Sequence, residues 1–171
     1  MGFFLILFEE YIVLDYLKTL YTLKVNFMAH YTVKQVFEIF DEFEEQKNKA
    51  TRKEVLLKYA DVPAFKDILR GTFDDSLQFL LPEGKPPYTP NAPESVPSTL
   101  LKKHKDFGYF VKGGRGDSMP AYKRENLFIR LLESIHPQDA NLVLSMVAKQ
   151  SPVKYLTKKL IEETFPNLIK T

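Results

Sequence analysis

Between Leu81 and Leu100 the chain carries six of its eleven prolines, in the run Leu81-Pro82-Glu83-Gly84-Lys85-Pro86-Pro87-Tyr88-Thr89-Pro90-Asn91-Ala92-Pro93-Glu94-Ser95-Val96-Pro97. Proline fixes φ and lacks a backbone N–H, so this stretch is excluded from helix and from any central strand. It must run extended, and it splits an otherwise helical chain into two arms. Three readings follow: a polyproline ligand for an aromatic groove, a disordered linker, or an ordered strap covering the core between the arms. Leu80, Leu81, Tyr88 and Val96 make the segment less polar than true linkers, which favours the strap. Pro86, Pro87, Tyr88 and Pro90 are its candidate partner contacts.

A chain of 171 residues, 44% hydrophobic and 27% charged, has room for one domain or two very small ones, with a real core. It contains no cysteine. That excludes a disulfide framework, a thiolate metal site and a cysteine nucleophile, and fits a reducing cytoplasm. The net charge of +2 hides an asymmetry: residues 99–171 hold 13 Lys/Arg against 7 Asp/Glu, and the remainder 11 against 15. A basic half attracts nucleic acid or an acidic partner; the plainer reading is attraction between the two halves. Lys149, Lys154, Lys158 and Lys159 stand with Tyr155 around one C-terminal helix. The candidate nucleic-acid contacts are Lys123, Arg124, Lys154, Lys158 and Lys159.

The N-terminus sets six apolar residues, Phe3 to Phe8, before Glu9-Glu10. That is too short to span a membrane, and a basic start and small-residue cleavage site are both missing. Ile6 stands where a myristoylation signal needs Ser or Thr. Neither targeting nor a membrane partner is expected. Ile12, Tyr16, Leu20, Leu23 and Phe27 have near-helical spacing. The favoured reading nevertheless makes residues 1–27 an extension, with Met28 the start of a single helical domain over 28–171.

In the first arm, Thr32-Val33-Lys34-Gln35 reads as a capping box. Val33, Val36, Phe37, Phe40 and Phe43 form the apolar stripe behind it, opposite acidic Glu38, Asp41, Glu42 and Glu45. A second box, Thr51-Arg52-Lys53-Glu54, opens a helix carrying Val55, Leu56 and Tyr59. Asp61 with Pro63 predicts the start of a third, which packs Phe65, Ile68 and Leu69 and stops at Gly71 as a left-handed C-terminal residue. Alternation of Leu77, Phe79 and Leu81 suggests a short extended piece. In the second arm, residues 100–111 start helical and finish extended, and Gly113-Gly114-Arg115-Gly116-Asp117 forces a loop. Helices are then expected over 121–135, from Pro137 with Ala140, Val143, Leu144 and Val147 inward, and over 153–165, ending before Pro166.

No catalytic constellation emerges. Arg115-Gly116-Asp117 matches the integrin-binding tripeptide but reads as a turn. Gly113-Gly114-Arg115-Gly116 lacks the spacing of a phosphate loop. His30, His104 and His136 are too scattered for a metal motif, and His136, before Pro137, suits a helix cap or a packed corner. Glu9-Glu10, Glu44-Glu45, Asp74-Asp75 and Glu162-Glu163 are adjacent pairs, which point about 100° apart on a helix and read as solvated. No catalytic residue, metal ligand or cofactor is assigned.

Phe79-Leu80-Leu81-Pro82-Glu83-Gly84-Lys85-Pro86-Pro87-Tyr88-Thr89-Pro90-Asn91, followed by Lys123-Arg124-Glu125-Asn126-Leu127-Phe128-Ile129-Arg130-Leu131-Leu132-Glu133-Ser134-Ile135-His136-Pro137, resembles an uncharacterised family of small proteins of T4-like tailed bacteriophages and cyanophages. Leu156-Thr157-Lys158-Lys159-Leu160 with Phe165-Pro166 also fits. The resemblance covers residues 32–169. It implies an infected bacterial cytoplasm as the setting and transfers no catalytic residue. The expected fold is mainly α, a compact bundle of about six short helices in two arms joined by an ordered proline-rich strap. The expected function is that of a non-enzymatic phage accessory protein contacting an unknown phage or host protein. A nucleic-acid-binding accessory factor is the alternative, and a virion component the third reading.

Overall fold

The computed structural model of the chain describes residues 17–19, which are helical, and 33–170. The 1–27 extension, the Met28 start, the Ile12–Phe27 spacing, Thr32 and His30 lie outside the described residues, Leu17, Lys18 and Thr19 apart. By internal contacts the chain divides into residues 1–34 and 35–171, and the second unit is described below.

Seven α-helices and one 3-10 helix build this unit: α1 (Val36–Glu44), α2 (Lys49–Lys58), α3 (Pro63–Phe73), α4 (Leu100–Lys103), the 3-10 helix (His104–Tyr109), α5 (Ala121–Leu132), α6 (Pro137–Val147) and α7 (Lys158–Thr164). The mainly helical expectation is met; α4 is the expected helical start of residues 100–111, and the 3-10 helix continues it. Among the described residues the only sheet-like pairing is an isolated antiparallel bridge between Phe79 and Val111. It places the expected extended piece beside the end of the 100–111 segment.

Several helix ends differ from the sequence expectation. The N-cap of α1 is Gln35, whose amide donates to the Glu38 carboxylate at 2.7 Å. Val33 therefore lies outside the helix, 66% exposed, while Val36, Ile39, Phe40 and Phe43 form the buried stripe. In α2 the cap is Asn48, whose side chain accepts from the Thr51 amide at 2.9 Å, so Thr51 sits one turn inside. The third helix is capped by Val62 rather than Asp61, with Pro63 in its first turn. Gly71 does not end α3, which runs on to Phe73. A methyl group there would lie 2.4 Å from the Met146 sulfur, so Gly71 serves close packing on α6 rather than a left-handed turn. α5 ends at Leu132 and α7 begins only at Lys158, after the cap Thr157. α7 does stop short of Pro166, as the proline demands.

The two arms are separate only along the sequence. α3 packs most extensively on α6, α1 on both α3 and α6, and α2 on α7. One core results, with Phe40 against Phe65 and Phe110 edge-on to Phe128. Among the described residues no helix is long and apolar enough to cross a membrane.

The proline segment is an ordered strap, tied to the turn between α5 and α6. The Thr89 amide donates to the Glu133 carboxylate at 3.0 Å, and the Asn91 side chain donates to the Glu133 and Ile135 carbonyls at 2.5 and 3.1 Å. The Ser98 amide donates to the Ser134 carbonyl at 2.8 Å. The Asn91 and Ser98 bonds satisfy carbonyls at and just beyond the end of α5, which is why a segment unable to form helix still docks in one place.

Candidate functional site

The basic residues singled out by sequence fall in four different environments. Arg124 is buried, and its guanidinium donates to the carbonyls of Leu80, Gly116 and Met119 at 2.7, 3.0 and 3.0 Å. It staples the strap entrance and the glycine loop to α5. These bonds commit its Nε and Nη1 to the protein's own backbone. Lys158 is turned toward Asp75 at 2.5 Å, and that hydrogen bond chiefly raises its pKa. Lys123 is exposed on the first turn of α5, whose main helical neighbour is α6. Lys159 is exposed on α7, which packs on α2, and Lys154 is exposed in the turn before α7.

What gathers around those last two is a face that the sequence divides between distant segments. On α2, Lys49, Arg52 and Lys53 are spaced i, i+3, i+4 and share one side of the helix. The Lys49 ammonium lies 2.7 Å from the Glu163 carboxylate of α7. The pKa of Glu163 is lowered, first by that hydrogen bond and then by the charges of Lys49, Lys159 and Lys53. One exposed carboxylate thus sits among three lysines from two helices.

Beside it, the turn before α7 bends through Tyr155 at φ +64°, a left-handed conformation unfavourable to a bulky residue. Ser151 holds this turn, its hydroxyl lying 2.9 and 2.8 Å from the carbonyls of Val153 and Leu156. The Lys154 amide donates to the Glu44 carboxylate at 2.8 Å. Tyr155 is 59% exposed, and the Arg52 guanidinium lies 3.8 Å from its ring centroid. An arginine stacked on an exposed tyrosine among lysines combines the electrostatic and stacking elements that single-stranded nucleic-acid sites use. The i, i+3, i+4 basic spacing on α2 was visible in sequence. Its alignment with Tyr155 was not.

The strap residues are only partly available for contact. Tyr88 is half-buried and packs on the core, burial raises its pKa, and the Lys85 ammonium lies 5.1 Å from its ring centroid. Pro86 is half-buried, whereas Pro87 and Pro90 are exposed. Between residues 77–85 and the C-terminal half of α6 lies an open groove of about 950 Å³, with Leu77, Phe79, Leu81, Leu144 and Val147 among its walls.

The histidines resolve into two arrangements. His136 caps α6, its Nδ1 accepting from the Gln138 amide at 3.2 Å, and stacks on Phe37 with centroids 4.2 Å apart. His104 is buried, with Nδ1 2.6 Å from the Asp67 carboxylate. Among the described residues no group of three or more His, Asp or Glu is arranged to hold a metal ion.

Residues 39–152 match the model of a family of unknown function, DUF6433. The matched stretch contains α2 through α6 and ends before Tyr155. No curated protein matches the chain.

Proposed function

Since the chain belongs to the DUF6433 family, whose function is unknown, we propose a role from its own surface: a non-enzymatic accessory protein that binds nucleic acid through the face shared by α2 and α7. Its setting is the bacterial cytoplasm during phage infection, as the resemblance implies. The observation that carries the reading is Arg52 of α2 stacked on the exposed, left-handed Tyr155, with Lys49 and Lys53 of the same helix gathered with Lys159 of α7 at Glu163. Lysines supply phosphate contacts that release counterions, and the tyrosine offers a ring on which a base stacks, worth about 1–3 kcal/mol per base.

Fluorescence anisotropy with a labelled single-stranded oligonucleotide and the corresponding duplex tests it. Binding should weaken steeply between about 50 and 200 mM salt. Lys53→Gln and Lys159→Gln should each lower the salt slope by roughly one phosphate contact. Tyr155→Ala should weaken single-strand binding about tenfold or more. Absence of binding to either oligonucleotide at low salt would sink the reading.

Contact with a phage or host protein is the second reading, favoured by the apolar walls of the 950 Å³ groove beside the strap. A partner recovered from infected cells should be lost when Gln78, exposed on the groove wall, is changed to Trp. A virion component would be found among the proteins of purified particles.

A further inference from the structure

A second cleft, of about 700 Å³, opens between α3, the 3-10 helix and the glycine loop. Its lining has four cationic side chains, Arg70, Lys105, Lys112 and Arg115, the first of them shared with Asp74 outside the lining, and a single carboxylate, Asp67, already engaged by His104. We propose that this cleft binds a small organic phosphate monoester of mononucleotide size, its phosphate held by the cationic side chains and its body against the apolar floor.

Backbone amides do not make this site. The Gly113 amide donates to the Asp117 carboxylate at 3.0 Å and the Gly114 amide to the Val111 carbonyl at 3.0 Å. The loop folds so tightly that a Cβ on Gly114 or Gly116 would lie 2.3 or 2.0 Å from the carbonyl oxygen of Gly108 or Tyr109. Recognition therefore falls to side chains, and two of these are preset. Arg115 donates to the Lys105 carbonyl and lies with its guanidinium carbon 4.2 Å from the Tyr109 ring centroid. Arg70 is paired with Asp74 at 3.7 Å. Preset guanidinium groups suit the bidentate geometry of phosphate oxygens and lose little freedom on binding.

Size and floor argue for more than a bare ion. A volume of about 700 Å³ is in the range of small-molecule sites and far exceeds a phosphate. Phe79, Phe107 and Met146 supply apolar wall, which a flat organic body covers.

The test is an amide NMR titration of the full chain with adenosine 5′-monophosphate, inorganic phosphate and adenosine. Saturable shifts at Gly108, Gly113 and Gly114 are expected with the monophosphate. Affinity should be at least about tenfold weaker for inorganic phosphate, and adenosine should give no saturation. Lys105→Gln with Lys112→Gln, both at exposed positions, should weaken the monophosphate about tenfold or more. Gly108→Ala keeps every charge but sets a methyl 3.2 Å from Arg115 Nε, and should weaken it several-fold by displacing that side chain. Lys53→Gln with Lys159→Gln, on the α2–α7 face, should leave the affinity unchanged. The proposal is overturned if the monophosphate gives no shifts at millimolar concentration, if adenosine binds as well, or if the Lys105/Lys112 variant binds undiminished. Equal affinity for inorganic phosphate overturns the organic part.

Discussion

Two corners of the molecule bury a carboxylate completely, and they treat it in opposite ways. Asp74 follows α3, and Asp139 stands in the first turn of α6; both are 0% exposed. At Asp74 burial is the largest cause and raises the pKa, but it is opposed by the Ser76 hydroxyl at 2.6 Å and the Ser76 amide at 2.9 Å. The Lys170 amide and the Arg70 charge add to this, and the net shift is downward. At Asp139 burial dominates and the pKa is pushed up to about 7. A single bond from the Phe37 amide at 2.9 Å opposes it and Glu38 reinforces it; Oδ2 has no hydrogen-bond partner, which is also true of Oδ2 of Asp74. Both carboxylates are closed to solvent, but Asp139 is set deeper among protein atoms and meets fewer donors. Asp74 organises its own local turn. Asp139 instead caps the N-terminus of another helix, α1, and reaches it alone.

The pH dependence of stability should separate the corners most strongly. Because the folded pKa of Asp139 lies above its ordinary value of 3.8, the native state holds the proton more tightly than the unfolded chain. The stability this group contributes is then highest below about pH 4, falls as pH rises to about 7, and stays low above it. A rise from 3.8 to about 7 corresponds to a loss of about 4 kcal/mol over that window. Asp139→Asn keeps an acceptor for the Phe37 amide and cannot ionise. Urea denaturation should show the variant about 1–3 kcal/mol more stable than wild type at pH 8, with the curves crossing toward pH 5. Parallel curves would break the comparison.

Asp74→Ala should destabilise by about 2–4 kcal/mol at pH 7, since it removes two hydrogen bonds to a charged acceptor in a buried turn. Arg70 is half-exposed, so its share of that loss is small. The sign here is the reverse of that at Asp139. Asp74 contributes stability above its unfolded pKa, and this is lost as pH falls through its lower folded value. Ser76→Ala should cost about 1 kcal/mol and move the acid limb of the unfolding curve to higher pH. An unchanged acid limb would show that Ser76 is not what holds Asp74 ionised.

Neither corner could be read from the sequence. Asp74-Asp75 looks like a solvated pair, and only the fold buries the first while leaving the second exposed to meet Lys158. His136 before Pro137 was legible as a cap because its partner, Gln138, is two residues away. Asp139 was not, because Phe37 is 102 residues distant. The same distinction runs through the fold. Apolar stripes and proline stops are local, so the helices were visible, whereas choosing Asn48 over Thr51 as a cap needed the backbone itself. Gly71 reads as a helix end until Met146 packs on it. Arg124 reads as a surface cation until three carbonyls from two loops converge on it. At the candidate interface Lys154 and Lys159 were legible, whereas Lys49, Lys53 and the stacking of Arg52 on Tyr155 waited on the packing of α2 against α7.

The smallest effect tests why Asp139 is raised. Burial is the leading cause and Glu38 a lesser one, and Glu38 is exposed on α1. Glu38→Gln removes the charge but keeps an oxygen that can accept from the Gln35 amide, so the start of α1 should be preserved. An NMR titration of the Asp139 carboxyl carbon should then show the midpoint moving down only slightly, remaining far above 3.8, because solvent screens an exposed charge. A return to the ordinary carboxylate range would mean that Glu38, rather than the missing donors, sets the proton affinity of this corner. Asp139 would then differ from Asp74 by its neighbouring charge and not by its hydrogen bonds.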